Sequence, residues 1–308
     1  MDSAIDQLRI QFEPGSLIVL NIILGILMFG VALDIKVDDF RRLAKAPKGP
    51  LLGLCAQFLL LPAATFLLTL VLKPLPSVAL GMILIASCPG GNVSNFMTYL
   101  ARGNTALSVG MTAAASASAV FLTPLNIALY GSLNPHTRPL LQAIDVEPLQ
   151  ILVTVILILG LPLLVGMFVG HRWPALTARV RGPLRVVGGL IFLSFIVIGI
   201  SKNLNFFTVD ILPIFLMVIL HNAMALSVGY GIAKLMRVPP RDARAIAIEV
   251  GIQNSGLGLV LIFNFFSGVG GMAIVAAWWG VWHIVAGLSL ATFWGRRQLP
   301  PMPGESEA

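Results

Sequence analysis

Apolar residues run through this chain in nine blocks separated by short polar or charged stretches, at roughly 16–35, 50–72, 77–101, 106–130, 149–170, 184–200, 209–236, 242–266 and 271–294. A block of about 20 apolar residues is what an α-helix needs to cross a hydrocarbon layer roughly 30 Å thick. The pattern predicts an all-α polytopic membrane protein with nine transmembrane helices. Two blocks are interrupted, the third by Pro89 to Gly91 in "CPGGNVSNFMTYLARGN" and the eighth around Asn254 to Gly256 in "EVGIQNSGLG". An odd number of spans puts the two termini on opposite faces.

The loop charges choose which terminus lies where. One alternating set of loops carries Lys36, Arg41, Arg42, Lys45 and Lys48, then Arg102, then Arg172, Arg179, Arg181 and Arg185, then Lys234, Arg237, Arg241 and Arg244, then Arg296 and Arg297. The opposite set holds Arg9, Lys73, Arg138 and Lys202. Basic residues accumulate in cytoplasmic loops, so the N-terminus is expected outside and the C-terminus in the cytoplasm of a multi-pass plasma-membrane protein. The N-terminal stretch "MDSAIDQLRIQFEPG" lacks the three regions of a cleaved secretory signal, which leaves targeting to the first span.

Composition agrees with the pattern. The chain is 57% hydrophobic and 11% charged, outside the range of soluble domains, and residues 1–308 read as a single membrane domain. The net charge of +7 follows from the loop bias and gives no reason to invoke nucleic acid. Cys55 and Cys88 both lie in apolar segments with no metal-ligand spacing, so neither a disulfide framework nor a zinc site is indicated.

The two interruptions stand at matching places. Spans 1 to 4 (16–130) and spans 6 to 9 (184–294) have the same order of unbroken and broken segments, joined by the single helix 149–170. The second four-helix unit must therefore start from the opposite face, giving the inverted repeat of many secondary transporters, whose broken helices mark the binding site.

An unwound backbone survives in hydrocarbon only where protein, water or a ligand satisfies its polar groups. Pro89 cannot donate a hydrogen bond, Gly90 and Gly91 allow backbone angles closed to other residues, and the helix restart leaves amides near Gly91 and Asn92 facing an anion. Asn92, Ser94 and Asn95 add side-chain oxygens there. In the eighth block Glu249 is one of two carboxylates inside apolar runs, the other being Asp34, and an intramembrane carboxylate normally marks an ion or proton path. Gln253 is four residues on, on the same helix face. A hard monovalent cation takes oxygen ligands, which Glu249, Gln253 and the carbonyls of Val250 and Ile252 supply. Ser108 and Thr112 share a face and meet Ser94 and Asn95 where the chain folds back after "ARGNTA". Gln57 is a further oxygen donor, and His283 in "WWGVWHIVAG" a candidate substrate contact. Ser116 and Ser118 suit close helix packing, and His221 and Asn222 read as structural. No His or Asp is placed to activate Cys88, so no catalytic residue is assigned and the chain is not expected to be an enzyme.

The long stretches "CPGGNVSNFMTYLARGNTALSV" and "EVGIQNSGLGLVL" together resemble the two crossover motifs of the bile acid/sodium symporter family. The resemblance implies a core domain of spans 77–130 and 242–294 with 50–72 and 209–236, and a panel domain of 16–35, 149–170 and 184–200. It implies one sodium site made of Ser94, Asn95, Ser108, Thr112 and Glu249, and a second made of Gln57, Glu249, Gln253 and the carbonyls of Val250 and Ile252. Gly91, Asn92, Asn254 and His283 would face the substrate. The nine-helix arrangement is similar to that of the animal carriers, whereas many bacterial members have ten helices. Asn92 stands where bacterial relatives often place Thr, and Ile284 where relatives can carry Asn. Two sodium ions sharing the carboxylate of Glu249 would leave one positive charge, which an anionic substrate neutralises.

The function expected is thus a sodium-coupled symporter importing an organic anion, bile-acid-like or a smaller carboxylate, by alternating access. The alternative is a proton-coupled carrier using Glu249, because burial disfavours the charged form of a carboxylate. An intramembrane enzyme or a non-transporting receptor comes behind both. The partners expected are Na+ as coupling ion, the organic anion and the bilayer, with no other cofactor and no required protein partner.

Overall fold

The computed structural model describes residues 4–9, 14–33, 35, 38, 41, 45–144, 148–201 and 211–297. Its helices are α1 Ala4–Gln7, α2 Pro14–Ala32, α3 Lys48–Leu72, α4 Pro76–Ser87, α5 Val93–Leu100, α6 Thr105–Leu133, α7 Arg138–Ala143, α8 (148–172), α9 Pro174–Ser201, α10 Ile211–Leu235, α11 Pro240–Gly251, α12 Ser255–Phe265 and α13 Gly270–Gly295. Among the described residues the extended pairing is confined to two isolated antiparallel bridges, Arg9 with Val269 and Gly90 with Gln253. Among the described residues five helices are long and apolar enough to cross a membrane: α3, α6, residues Leu152–Arg172 of α8, α10 and α13. Shorter apolar helices cover Ile18–Gly30, Pro76–Ser87 and Ser255–Phe265. Asp34 lies outside the described residues.

Both interruptions exist. The third block divides into α4 and α5, the eighth into α11 and α12. The second break sits slightly earlier than the sequence suggests, because the Asn254 side chain accepts from the Leu257 amide at 3.0 Å and starts α12 immediately, so that Ser255 and Gly256 are already helical. The sixth block also begins sooner than expected. Pro174 opens α9 as a first-turn proline, and the basic stretch with Arg179 and Arg181 is helical, with Pro183 inside it.

Two helices carry a wide π turn just ahead of a proline, Ala56–Leu60 before Pro62 and Ile156–Gly160 before Pro162. Proline offers no N–H to the carbonyl four residues back, and its ring crowds that carbonyl. In α3 the carbonyl so released belongs to Phe58, and the buried Asn126 on α6 donates to it at 2.9 Å. Gln57 lies within this turn.

The half-helices α4 and α11 occupy the centre. Every residue from Ser77 to Ser87 and from Ala243 to Gly251 is buried. Helix α4 packs on α3, α6 and α13, and α11 on α10, α5 and α6. The close approach of α10 to α11 depends on Gly229, where a Cβ would stand 2.9 Å from the Ala247 Cα. Helix α2 packs against α8, α9 and the outer half-helix α12. Large apolar side chains such as Ile22, Leu67, Phe121, Leu164, Leu216 and Phe293 stay exposed on the outer surface, as lipid contact requires.

Candidate ion and substrate site

The two breaks satisfy each other. The Gly91 amide donates to the Ile252 carbonyl at 2.6 Å and the Asn254 amide to the Pro89 carbonyl at 2.9 Å, on either side of the Gly90–Gln253 bridge. Four carbonyls at the ends of the preceding half-helices are capped by side chains. Thr123 donates to Ser87 at 2.6 Å, and Gln57 Nε2 to Cys88 at 2.7 Å. Asn222 Nδ2 donates to Gly251 and Gln253 Nε2 to Val250, each at 2.7 Å. Unwound backbone thus persists in an apolar interior because protein groups meet much of it.

This pairing corrects two expectations. The Gly91 amide is spent on Ile252 and does not point freely at an anion, since its partner comes from a segment far away in sequence. Neither Gly90 nor Gly91 has a left-handed backbone; among the described glycines Gly268 alone does, with φ 63°. Their absent side chains serve close approach instead. A Cβ on Gly91 would stand 3.1 Å from the Gln253 carbonyl oxygen, and one on Gly90 would stand 2.8 Å from Glu249 Cδ.

Glu249 projects from α11 under Gly90 and is buried. The Ser94 hydroxyl donates to its Oε2 at 2.6 Å, and Thr112 Oγ1 lies 2.8 Å from Oε1 and 3.0 Å from Oε2. Thr112 Oγ1 is also 3.2 Å from Asn95 Oδ1 and 3.0 Å from the Ser108 carbonyl, while the Ser108 hydroxyl donates to Asn95 Oδ1 at 2.8 Å. The turn that closes this cage runs through Arg102, held at φ 53°, into Asn104, whose side chain caps α6 at the Leu107 amide. It folds α6 back so that Ser108 and Thr112 face α5. All of the first predicted set, Ser94, Asn95, Ser108, Thr112 and Glu249, is therefore in one place.

Its chemistry suits a small cation. One Thr112 proton faces four acceptor oxygens and can satisfy one at a time, so the cluster has more oxygens than hydrogens. Among the described residues the ion pair present is the exposed contact of Arg41 with Asp38, and Glu249 has no basic partner. A buried carboxylate without a cation is costly, and a bound one relieves that cost.

The second predicted set also converges on the crossing, with its polar atoms engaged by each other. Gln57 Nε2 donates to Gln253 Oε1 at 2.8 Å, Gln253 Nε2 holds the Val250 carbonyl, and Gly91 holds that of Ile252. Gln57 Oε1 is buried with no partner, an oxygen ready for a ligand. On the predicted substrate side, Asn92 takes the first position ahead of α5 without capping it and is partly exposed. Asn254 reaches Met28 Sδ on α2 at 3.7 Å. His283 is buried with its Nδ1 unpartnered, and α13 meets the start of α12 at Gly280, where a Cβ would stand 2.8 Å from Ser255 Oγ. His221 is structural as expected, bonded to Thr65 at 2.8 Å and set edge-on to Trp279. Sequence reasoning missed the capping roles of Thr123, Asn126 and Asn222. The signal available was that Gln57 and Asn222 are polar residues in corresponding apolar helices of the two halves.

A helical membrane protein with crossed, broken helices around an oxygen cage defines a secondary carrier as the class. The sequence profile of the Sodium Bile acid symporter family matches residues 21–209, more than half of the chain, and the protein belongs to that family. It is 34% identical over 278 residues to the uncharacterized sodium-dependent transporter YocS of Bacillus subtilis, covering 90% of this chain and 83% of that one. It is 34% identical over 279 residues to the probable sodium/metabolite cotransporter BASS1, chloroplastic, of Arabidopsis thaliana, covering 90% of this chain and 66% of the plant protein. The human ileal sodium/bile acid cotransporter is 28% identical over 241 residues, covering 78% of this chain and 67% of its own.

Proposed function

We propose that this protein is a sodium-coupled symporter that imports an organic anion across the plasma membrane by alternating access, with its N-terminus outside and its C-terminus in the cytoplasm. The observation that carries the reading is Glu249, a buried carboxylate with no basic partner among the described residues, surrounded by Ser94, Thr112, Ser108 and Asn95 oxygens. Ser94, Asn95, Ser108, Thr112 and Glu249 hold one sodium ion. Gln57, through its unpartnered Oε1, Glu249, Gln253 and the carbonyls of Val250 and Ile252 hold a second. Na+ here is co-substrate, and each ion enters by exchanging water for these oxygens.

Two bodies move against each other in this scheme. Helices α3 to α6 and α10 to α13 form the core, which carries both breaks, and α2, α8 and α9 form the panel; the packing of α2 on α8 and α9 supports the division. The nine spans and inverted repeats of the sequence reading are part of the same proposal. The anion lies between the bodies at Asn92, Asn254 and His283, where its charge offsets the excess of two cations over one carboxylate. The cargo is bile-acid-like or a smaller carboxylate, and relatives named for bile acid and for metabolite cotransport support an organic cargo.

Thermal-shift screening of the purified protein against organic anions, in sodium and in potassium, tests the reading. A ligand whose stabilisation requires sodium identifies the cargo. Stabilisation by anions that is indifferent to the cation would contradict sodium coupling, and stabilisation that follows pH alone would select proton coupling.

A further inference from the structure

Asn222 lies on α10, buried among apolar neighbours, and donates through Nδ2 to the carbonyl of Gly251 at 2.7 Å. Its Oδ1 is buried and has no partner. Gln57 on α3 does the same at the other break, donating through Nε2 to the Cys88 carbonyl at 2.7 Å while its Oε1 stays unpartnered. Each break is thus approached by one amide from the helix that immediately precedes the broken one. Neither amide can be turned around, since an amide oxygen would then face a carbonyl oxygen.

The carbonyl that Asn222 holds lies between those of Val250 and Ile252. The peptide joining Gly251 to Ile252 is planar, so fixing the Gly251 oxygen fixes the Ile252 amide, which bonds to Ile248 at 2.9 Å. The next carbonyl, that of Ile252, projects from the end of this plane at φ −111° and ψ 97° and is held by the Gly91 amide at 2.6 Å, so the plane that Asn222 fixes is the base from which it is aimed. Helix α10 is itself keyed to α3 by the neighbouring bond of His221 to Thr65. Leu226 packs on the other side: a Cβ on Gly251 would stand 2.5 Å from Leu226 Cγ, so α10 lies close against the α11 terminus.

We propose that Asn222 is a positioning residue for the second sodium site, acting through the Gly251 carbonyl to hold the Val250 and Ile252 carbonyls in ligating register. The inference rests on the sodium-coupled reading above and adds to it a residue outside the ligand sets. It distinguishes Asn222 from a buried amide that merely stabilises the fold, such as Asn134, which donates to Thr69 at 3.0 Å.

The test is the sodium dependence of thermal stability, measured on the purified protein with NaCl titrated against KCl at constant ionic strength and no anionic substrate added. Asn222→Ala, and Asn222→Leu as a variant that retains volume, are expected to raise the sodium half-point about tenfold, the order set by one buried hydrogen bond, and to flatten the titration, the result also expected of Gln57→Ala. Asn134→Ala is expected to lower the melting temperature at every sodium concentration without moving the half-point. Asn222 variants whose melting temperature falls while the half-point stays within about twofold of wild type would overturn the proposal and leave sodium coupling intact. A wild-type protein with no sodium-specific stabilisation would overturn both.

Discussion

Gly90→Ala is the sharpest perturbation of the proposed ion cage, because it adds one methyl group and no charge. A Cβ on Gly90 would stand 2.8 Å from Glu249 Cδ and 3.2 Å from its Cγ, closer than carbon atoms pack. Gly90 is tied into the Gly90–Gln253 bridge and Glu249 into a half-helix buried along its length, so the carboxylate gives way and not the backbone. Displacing it breaks the bonds from Ser94 and Thr112, now 2.6 and 2.8 Å. A hydrogen bond to a charged group is worth about 1.5–3 kcal/mol, and about 1.4 kcal/mol is a factor of ten. Losing one bond therefore weakens sodium binding by at least about tenfold, and losing both by about a hundredfold or more. The assay is the sodium half-point of thermal stabilisation, with sodium-dependent uptake as a second readout. Gly231→Ala is the control: nothing lies within 4 Å of its Cβ position, and alanine inside a helix is favoured by about 0.5–1 kcal/mol, so stability holds or rises and sodium binding is unchanged. A Gly90→Ala protein with a wild-type sodium half-point would refute the placement of the ion beside Glu249.

Thr112→Val keeps shape and removes the oxygen shared between Glu249 and Asn95; the sodium half-point is expected to rise about tenfold with little change in melting temperature, as read by the same titration. Asn126→Leu leaves the Phe58 carbonyl unpaired in the π turn and is expected to cost about 1–3 kcal/mol in a denaturation measurement. Asn21 on α2 and Asn264 on α12 exchange two amide bonds of 2.9 and 2.8 Å, the one doubly bonded side-chain pair among the described residues that joins the proposed panel to the core. If the bodies separate there during transport, Asn21→Leu alters the maximal uptake rate while leaving the sodium half-point unchanged; an unchanged rate would mean that α2 and α12 stay together.

How much of this was legible in the sequence depended on the range of the interaction. Pro89, Gly90 and Gly91 announce a break because proline cannot continue a helix bonded to the turn before it, and that fact is local. Glu249 stands out because a carboxylate in an apolar run is expensive wherever it lies. The cage of Ser94, Asn95, Ser108 and Thr112 was readable because a short turn joins its two helices. The reason for the paired glycines was not readable: space and backbone angle leave the same letter in the sequence, and the crowding atoms belong to Glu249 and Gln253 in the other half of the chain. For the same reason the Gly91 amide looked free until Ile252 was placed beside it. Asn222 on an apolar helix reads as one buried polar residue among several, and its partner is a backbone carbonyl that has no signature in sequence at all.

The central claim is that sodium bound at Glu249 drives uptake. Its most direct test is anion uptake into proteoliposomes under an imposed inward sodium gradient, wild type beside Glu249→Gln, which keeps the size of the side chain and removes its charge. The account predicts accumulation by the wild type that collapses when the gradient is dissipated, and no gradient-driven accumulation by Glu249→Gln. Accumulation that survives either change, the loss of the gradient or the loss of the carboxylate, would contradict it.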